Sequence, residues 1–125
     1  MAQPQSSQPD TQPAAQAPPA HLPQAVVDEI VRRVLTVARP DKIILFGSAA
    51  AGTMTPDSDV DLLVVEPGEF DRREEYVRIR RAIGDLGYPF DVILIGAERF
   101  EETKDLVGGI AYPASNHGRV IYEAA

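Results

Sequence analysis

The stretch Ile43-Ile44-Leu45-Phe46-Gly47-Ser48, followed after ten residues by Asp59-Val60-Asp61-Leu62-Leu63-Val64-Val65, decides how this chain is read. An apolar strand runs into a Gly-Ser turn, whose backbone N–H groups and hydroxyl can face phosphate oxygens as glycine-led turns do. A second apolar strand, expected over Asp59 to Glu66, opens on two carboxylates. Side chains alternate across a strand, so Asp59 and Asp61 point one way and Val60 the other, and both carboxylates can share one cation cluster. An Asp-x-Asp pair alone is a weak sign, because most such pairs are surface or turn residues. Its setting strengthens it: phosphate ligands and carboxylates fall on neighbouring strands.

A third carboxylate belongs to the same pattern. Asp91 interrupts the apolar run Phe90-Asp91-Val92-Ile93-Leu94-Ile95, where an unpaired charge is expensive to desolvate and a cation would remove that cost. A salt bridge to a nearby arginine, or a place at the strand edge, would explain Asp91 equally well on its own. Three carboxylates around two divalent ions suit in-line attack at phosphorus, and oxygen-only ligands favour magnesium, or manganese, over zinc.

Outward from this centre, the rest of the chain supplies a scaffold. Val26, Val27, Ile30, Val31, Val34 and Leu35 recur at helical spacing over Gln24 to Ala38, with Pro40 ending the helix. Lys42 to Phe46 reads as a short strand covered on both faces, Gly47 to Thr53 as a turn with a short helix start, and Thr55-Pro56-Asp57-Ser58 as turn chemistry. A second long helix is expected over Asp71 to Leu86, with Tyr76, Ile79, Ile83 and Leu86 inward and Gly87 closing it. Its outer face mixes Arg72, Arg73, Arg78, Arg80 and Arg81 with Glu74, Glu75 and Asp85, the pattern of a solvated surface. A third strand over Tyr88 to Ile95, a helix from Ala97 to about Val107 and a short edge strand over Arg119 to Glu123 complete the series. Gly108-Gly109 marks a helix break, the four tyrosines read as core packing, and neither His21 nor His117 is given a role.

Length and composition narrow the class. A chain of 125 residues fits one domain with one modest core. Residues 1–23 hold six of the eleven prolines and five glutamines, almost without large apolar side chains. This segment reads as a disordered tail, leaving residues 24–125 as the domain. That body sets 12 basic against 18 acidic residues, a net charge of −6, which disfavours nucleic acid as a direct partner. There are no cysteines, so thiolate metal sites are excluded. No apolar run approaches a membrane span and no secretory signal is evident, so the expected location is the cytoplasm.

Taken together, Gly47-Ser48, Asp59-x-Asp61 and the later strand residue Asp91 resemble the nucleotidyltransferase superfamily of DNA polymerase beta. The small size and the Ile-Ile-Leu-Phe-Gly-Ser…Ser-Asp-Val-Asp-Leu-Leu-Val-Val pattern are similar to the minimal nucleotidyltransferases, called MNT, that pair with HEPN proteins. The resemblance covers about residues 24–123, with its specific motif confined to 43–65. It implies an α+β fold, a small mixed β-sheet flanked by helices. By resemblance, Asp59, Asp61 and Asp91 bind two Mg2+ ions, Asp91 activates the acceptor, and Gly47 and Ser48 hold the triphosphate of ATP, whose AMP moves to a hydroxyl. With no room for an acceptor domain, the acceptor belongs to another chain, by analogy a HEPN toxin neutralised by an MNT-type antitoxin. One departure matters: many minimal members read Gly-Ser-Arg-Ala-Arg-Gly, whereas this chain has Gly47-Ser48-Ala49-Ala50-Ala51-Gly52, with less positive charge near the phosphates. Two alternatives stay open: a catalytically weak or inactive antitoxin acting by binding, and an aminoglycoside-like small-molecule transferase whose pocket is built by a homo-oligomer.

Overall fold

A computed structural model describes residues 21–106, 111 and 117–125. Within the described residues the elements follow in the order α1 (Gln24–Val34), β1 (Lys42–Phe46), α2 (Ser48–Ala51), β2 (Val60–Glu66), α3 (Arg72–Ile83), β3 (Phe90–Gly96), α4 (Ala97–Thr103) and β4 (Arg119–Glu123). The sheet order is β3-β2-β1-β4. β1 runs antiparallel to both β2 and β4, while β2 and β3 are parallel. This is the small mixed sheet with flanking helices, of α+β class, that the sequence implied. The tail expected over 1–23 lies, through residue 20, outside the described residues, as do Gly108-Gly109. Leu22 packs into the core.

Strand alternation divides the interior into two layers. Ile43 and Leu45 of β1, Val60, Leu62 and Val64 of β2, and Val92 and Leu94 of β3 face α1 and α3, meeting Val27, Ile30, Val34, Ile79 and Ile83. Ile44, Leu63, Val65 and Ile95 face the other way and pack with Phe100 of α4 and Ala111. β1 and β2 are therefore apolar throughout because both of their faces are covered.

Several boundaries differ from expectation for local reasons. α1 stops at Val34 rather than Ala38. The N–H groups of Thr36 and Val37 reach back only three residues, to Arg33 and Val34, and the Thr36 hydroxyl donates to the Arg33 carbonyl at 2.6 Å. α3 begins on the Asp71 cap, which accepts from the Glu74 N–H at 2.9 Å. It ends at Gly84, whose φ of 61° lies where only glycine sits without strain, three residues before the expected Gly87. Its buried face is Glu75, Ile79 and Ile83, four residues apart, so Tyr76 turns outward with 41% of its surface exposed instead of packing in the core. β3 starts at Phe90 rather than Tyr88, and α4 ends at Thr103, short of Val107. β4 occupies the residues expected of it. Among the described residues no helix is long and apolar enough to cross a membrane.

Candidate functional site

At the end of β1 three strands bring their polar residues together. The antiparallel register sets Phe46 opposite Asp61, and the parallel register sets Asp61 beside Asp91. Asp61 and Asp91 therefore project from the same sheet face, the one opposite α1 and α3. Asp59 precedes β2 rather than opening it. The strand starts at Val60, whose N–H donates to the Pro89 carbonyl at 2.8 Å. Gly47 carries the chain out of β1 with φ 71°. It has two reasons to be glycine, because a Cβ there would stand 2.2 Å from Oδ2 of Asp61. Ser48 then opens α2, which Gly52 closes at φ 75°.

The electrostatics reflect this convergence. Burial first, then the charges of Asp91 and Asp59, push the Asp61 carboxyl above its usual range. Asp61 is half-buried, whereas Asp59 and Asp91 are exposed. The exposure of Asp91 corrects the expectation of a desolvated carboxylate: β3 is the outer strand, so the beginning of its inner face meets solvent. Asp91 stands at the second position of β3, and no salt bridge to it occurs among the described residues.

A model of the nucleotidyltransferase domain family matches residues 27–112 of the chain. The protein belongs to this nucleotidyltransferase domain family. The chain is also similar in fold to a Sulfolobus solfataricus protein, described provisionally as a nucleotidyltransferase and solved by crystallography. The TM-score is 0.56, with 20% sequence identity over 79% of this chain and 78% of that one. No protein of curated function matches the chain in sequence.

For this nucleotidyltransferase domain, the donor set is informative. The three aspartates offer carboxylate oxygens alone, have no hydrogen-bond or ion-pair partner among the described residues, and repel one another at Asp61. That chemistry fits a hard divalent cation. The side chains as they stand do not close into a ligating group of three, and no such group occurs among the described residues. Three cavities, of about 760, 470 and 670 Å3, line α3 or its flanking loops, and none includes the aspartates.

Two features of the turn were not legible in sequence. Ala49 is buried in the helix-side core while Ala51 is exposed, so only position 51 has room for a long cationic side chain directed to solvent. His21, given no role from sequence, lies against Gly52: a Cβ on Gly52 would fall 2.3 Å from the His21 Cε1 atom. Nothing in the spacing of the two residues signals this contact.

Proposed function

We propose that this domain transfers a nucleoside monophosphate, AMP from ATP, to an acceptor hydroxyl on a partner protein, as an MNT-type antitoxin acting on a HEPN toxin. The observation that carries the reading is the pairing of Asp61 with Asp91 on one sheet face, directly against the Gly47-Ser48 turn and two residues from Asp59. The acceptor oxygen forms a bond to the α-phosphorus, the bond between α-phosphorus and the bridging oxygen breaks, and pyrophosphate leaves. Asp91, exposed on the outer strand, would accept the hydroxyl proton from an acceptor arriving from solvent. Asp59 and Asp61, with Asp91, would hold Mg2+, which supplies charge stabilisation for attacking and leaving oxygens when bound. Gly47 and Ser48 would hold the leaving phosphates. The absence of a Cβ at Gly47 is what lets the turn lie directly against Asp61, keeping triphosphate and carboxylates in one small volume.

Incubation of the purified protein with ATP labelled on the α-phosphate and Mg2+, with and without the product of a neighbouring reading frame, tests the reading. Label on that neighbour which disappears with Asp59→Ala supports it. A stable complex without label would instead favour a module that neutralises its partner by binding. The spread of the three aspartates and the alanines of the turn favour that second reading.

A further inference from the structure

The outer face of α3 segregates its charges in a way the bare sequence conceals. Arg73, Tyr76, Val77, Arg80 and Arg81 fall within roughly 140° of the helix circumference, at 100° per residue. Tyr76 and Val77 are 41% and 39% exposed, two of the few large apolar side chains left in solvent. Glu74 and Glu75, the only acidic residues of the helix, lie outside this sector, and both are engaged by Arg78 at 3.4 and 3.0 Å. Arg73, Arg80 and Arg81 have no hydrogen-bond or ion-pair partner among the described residues. A concavity flanks each side of the stripe. One, of about 760 Å3, sets Arg73, Val77, Arg78 and Arg81 against Thr36 and Val37, with Asp71 and the Arg78-paired Glu74 also in its lining. The other, of about 470 Å3, sets Arg73 and Tyr76 against Val92 and Leu94 of the outer strand.

We propose that this α3 stripe is a docking face for an acidic segment of another protein, one that seats apolar side chains beside Tyr76 and Val77 between carboxylates facing the arginines. Exposed tyrosine and arginine with apolar seats is the composition of binding hot spots. Three uncompensated arginines on a chain of net charge −7 select a partner by charge complementarity. A second copy is disfavoured, because two α3 helices crossing antiparallel at Tyr76 and Val77 would set Arg73 against Arg80 and Arg81. RNA is disfavoured because Tyr76 is the one aromatic ring of the stripe and Val77, Val92 and Leu94 offer aliphatic seats rather than surfaces on which successive bases stack. Arg73 and Arg80 are about 10 Å apart along the axis, which matches glutamates seven residues apart on a partner helix. α3 lies on the sheet face opposite Asp61 and Asp91, so a partner held here leaves the aspartates accessible. The proposal is independent of what the aspartates do.

The test uses the full 15N-labelled chain and a 15-residue helical peptide with Glu at positions i, i+7 and i+8 and Leu at i+3 and i+4. The expected result is saturable binding, with amide shifts centred on residues 73–81. Arg73→Glu with Arg81→Glu should weaken it at least about tenfold, as should Tyr76→Ala with Val77→Ala. Both variants should melt like the parent, since the altered side chains are exposed and the arginines make no intrachain pair. A peptide with Gln for Glu should bind at least about tenfold more weakly. Any of four results would overturn the proposal: no saturation by about 1 mM peptide, shifts centred elsewhere, equal binding by the charge-reversed protein, or tighter binding of a 15-nucleotide oligouridine or of phosphatidylserine vesicles.

Discussion

Replacing Glu66 with glutamine should stabilise the protein in alkaline solution and leave it little changed in acid. Glu66 ends β2 with 3% of its surface exposed, and its Oε2 has no hydrogen-bond partner in the interior. Burial, the hydrogen bond it shares with Glu75 and the charge of Glu75 push its carboxyl up from 4.5 to about 8, against the opposing pull of Arg78. At neutral pH the native carboxyl is therefore protonated and donates to Glu75, which in turn accepts from Arg78 at 3.0 Å. The unfolded chain releases the same proton near 4.5. Between these values the unfolded state binds fewer protons than the native state, so stability declines as pH rises from about 4.5 to 8 and levels off above that. At about 1.36 kcal/mol per unit, even part of this shift is a sizeable fraction of the stability of a small domain. Glutamine keeps the size and the donor but has no proton to lose. Urea unfolding of parent and Glu66→Gln at pH 5, 7 and 9 reads the effect, because titrating groups that do not interact with Glu66 cancel in the difference. The variant's advantage should grow by several kcal/mol across the series. Parallel curves would refute the buried proton.

Other expectations follow from the aspartate site. Asp59→Ala or Asp61→Ala should each lower transfer at least about a hundredfold, while the melting temperature holds or rises because carboxylate repulsion is relieved; labelling assays and thermal melts check both. Gly47→Ala should destabilise the fold by about 1–3 kcal/mol and abolish transfer, since the added carbon collides with the Asp61 carboxylate; denaturant unfolding would expose the error if stability were unchanged. Ala51→Arg should tighten ATP binding, read by calorimetric titration, because position 51 is exposed beside the turn. Equal or weaker binding would mean that the alanine turn already suffices.

Much of the scaffold was legible because its signals are local. The apolar runs at 43–46 and 60–65 report strands buried on both faces, and the Gly-Ser turn with its aspartates reports a polar strand end. What stayed hidden depends on partners distant in sequence. The exposure of Asp91 follows from β3 being an outer strand, which no pattern within β3 encodes. On α3 the four-residue spacing of Glu75, Ile79 and Ile83 is as regular as any apolar stripe, but a glutamate at one of its positions hides it from a pattern of apolar residues, which favours Tyr76 instead. The same misplaced face made its arginines look evenly mixed with acids. Only backbone geometry separates Gly84, which ends the helix, from Gly87, which follows in the loop. His21 meets Gly52 through tertiary packing alone.

The pairing of β1 with β4 carries a consequence for how the chain reaches its native state. β2, α3 and β3 follow one another directly, so their contacts close short loops, whereas Lys42 must wait for Glu123 and Leu45 for Arg119. Closing so long a loop is entropically late, and late pairings slow folding. Until β4 arrives, one side of β1 is an unpaired edge bearing Ile43, Ile44 and Leu45, the kind of strand that recruits another chain. During synthesis that edge exists from the emergence of β2 until residue 123 clears the ribosome. Chains cut before β4 should accumulate as aggregates even though every aspartate of the site is present in them.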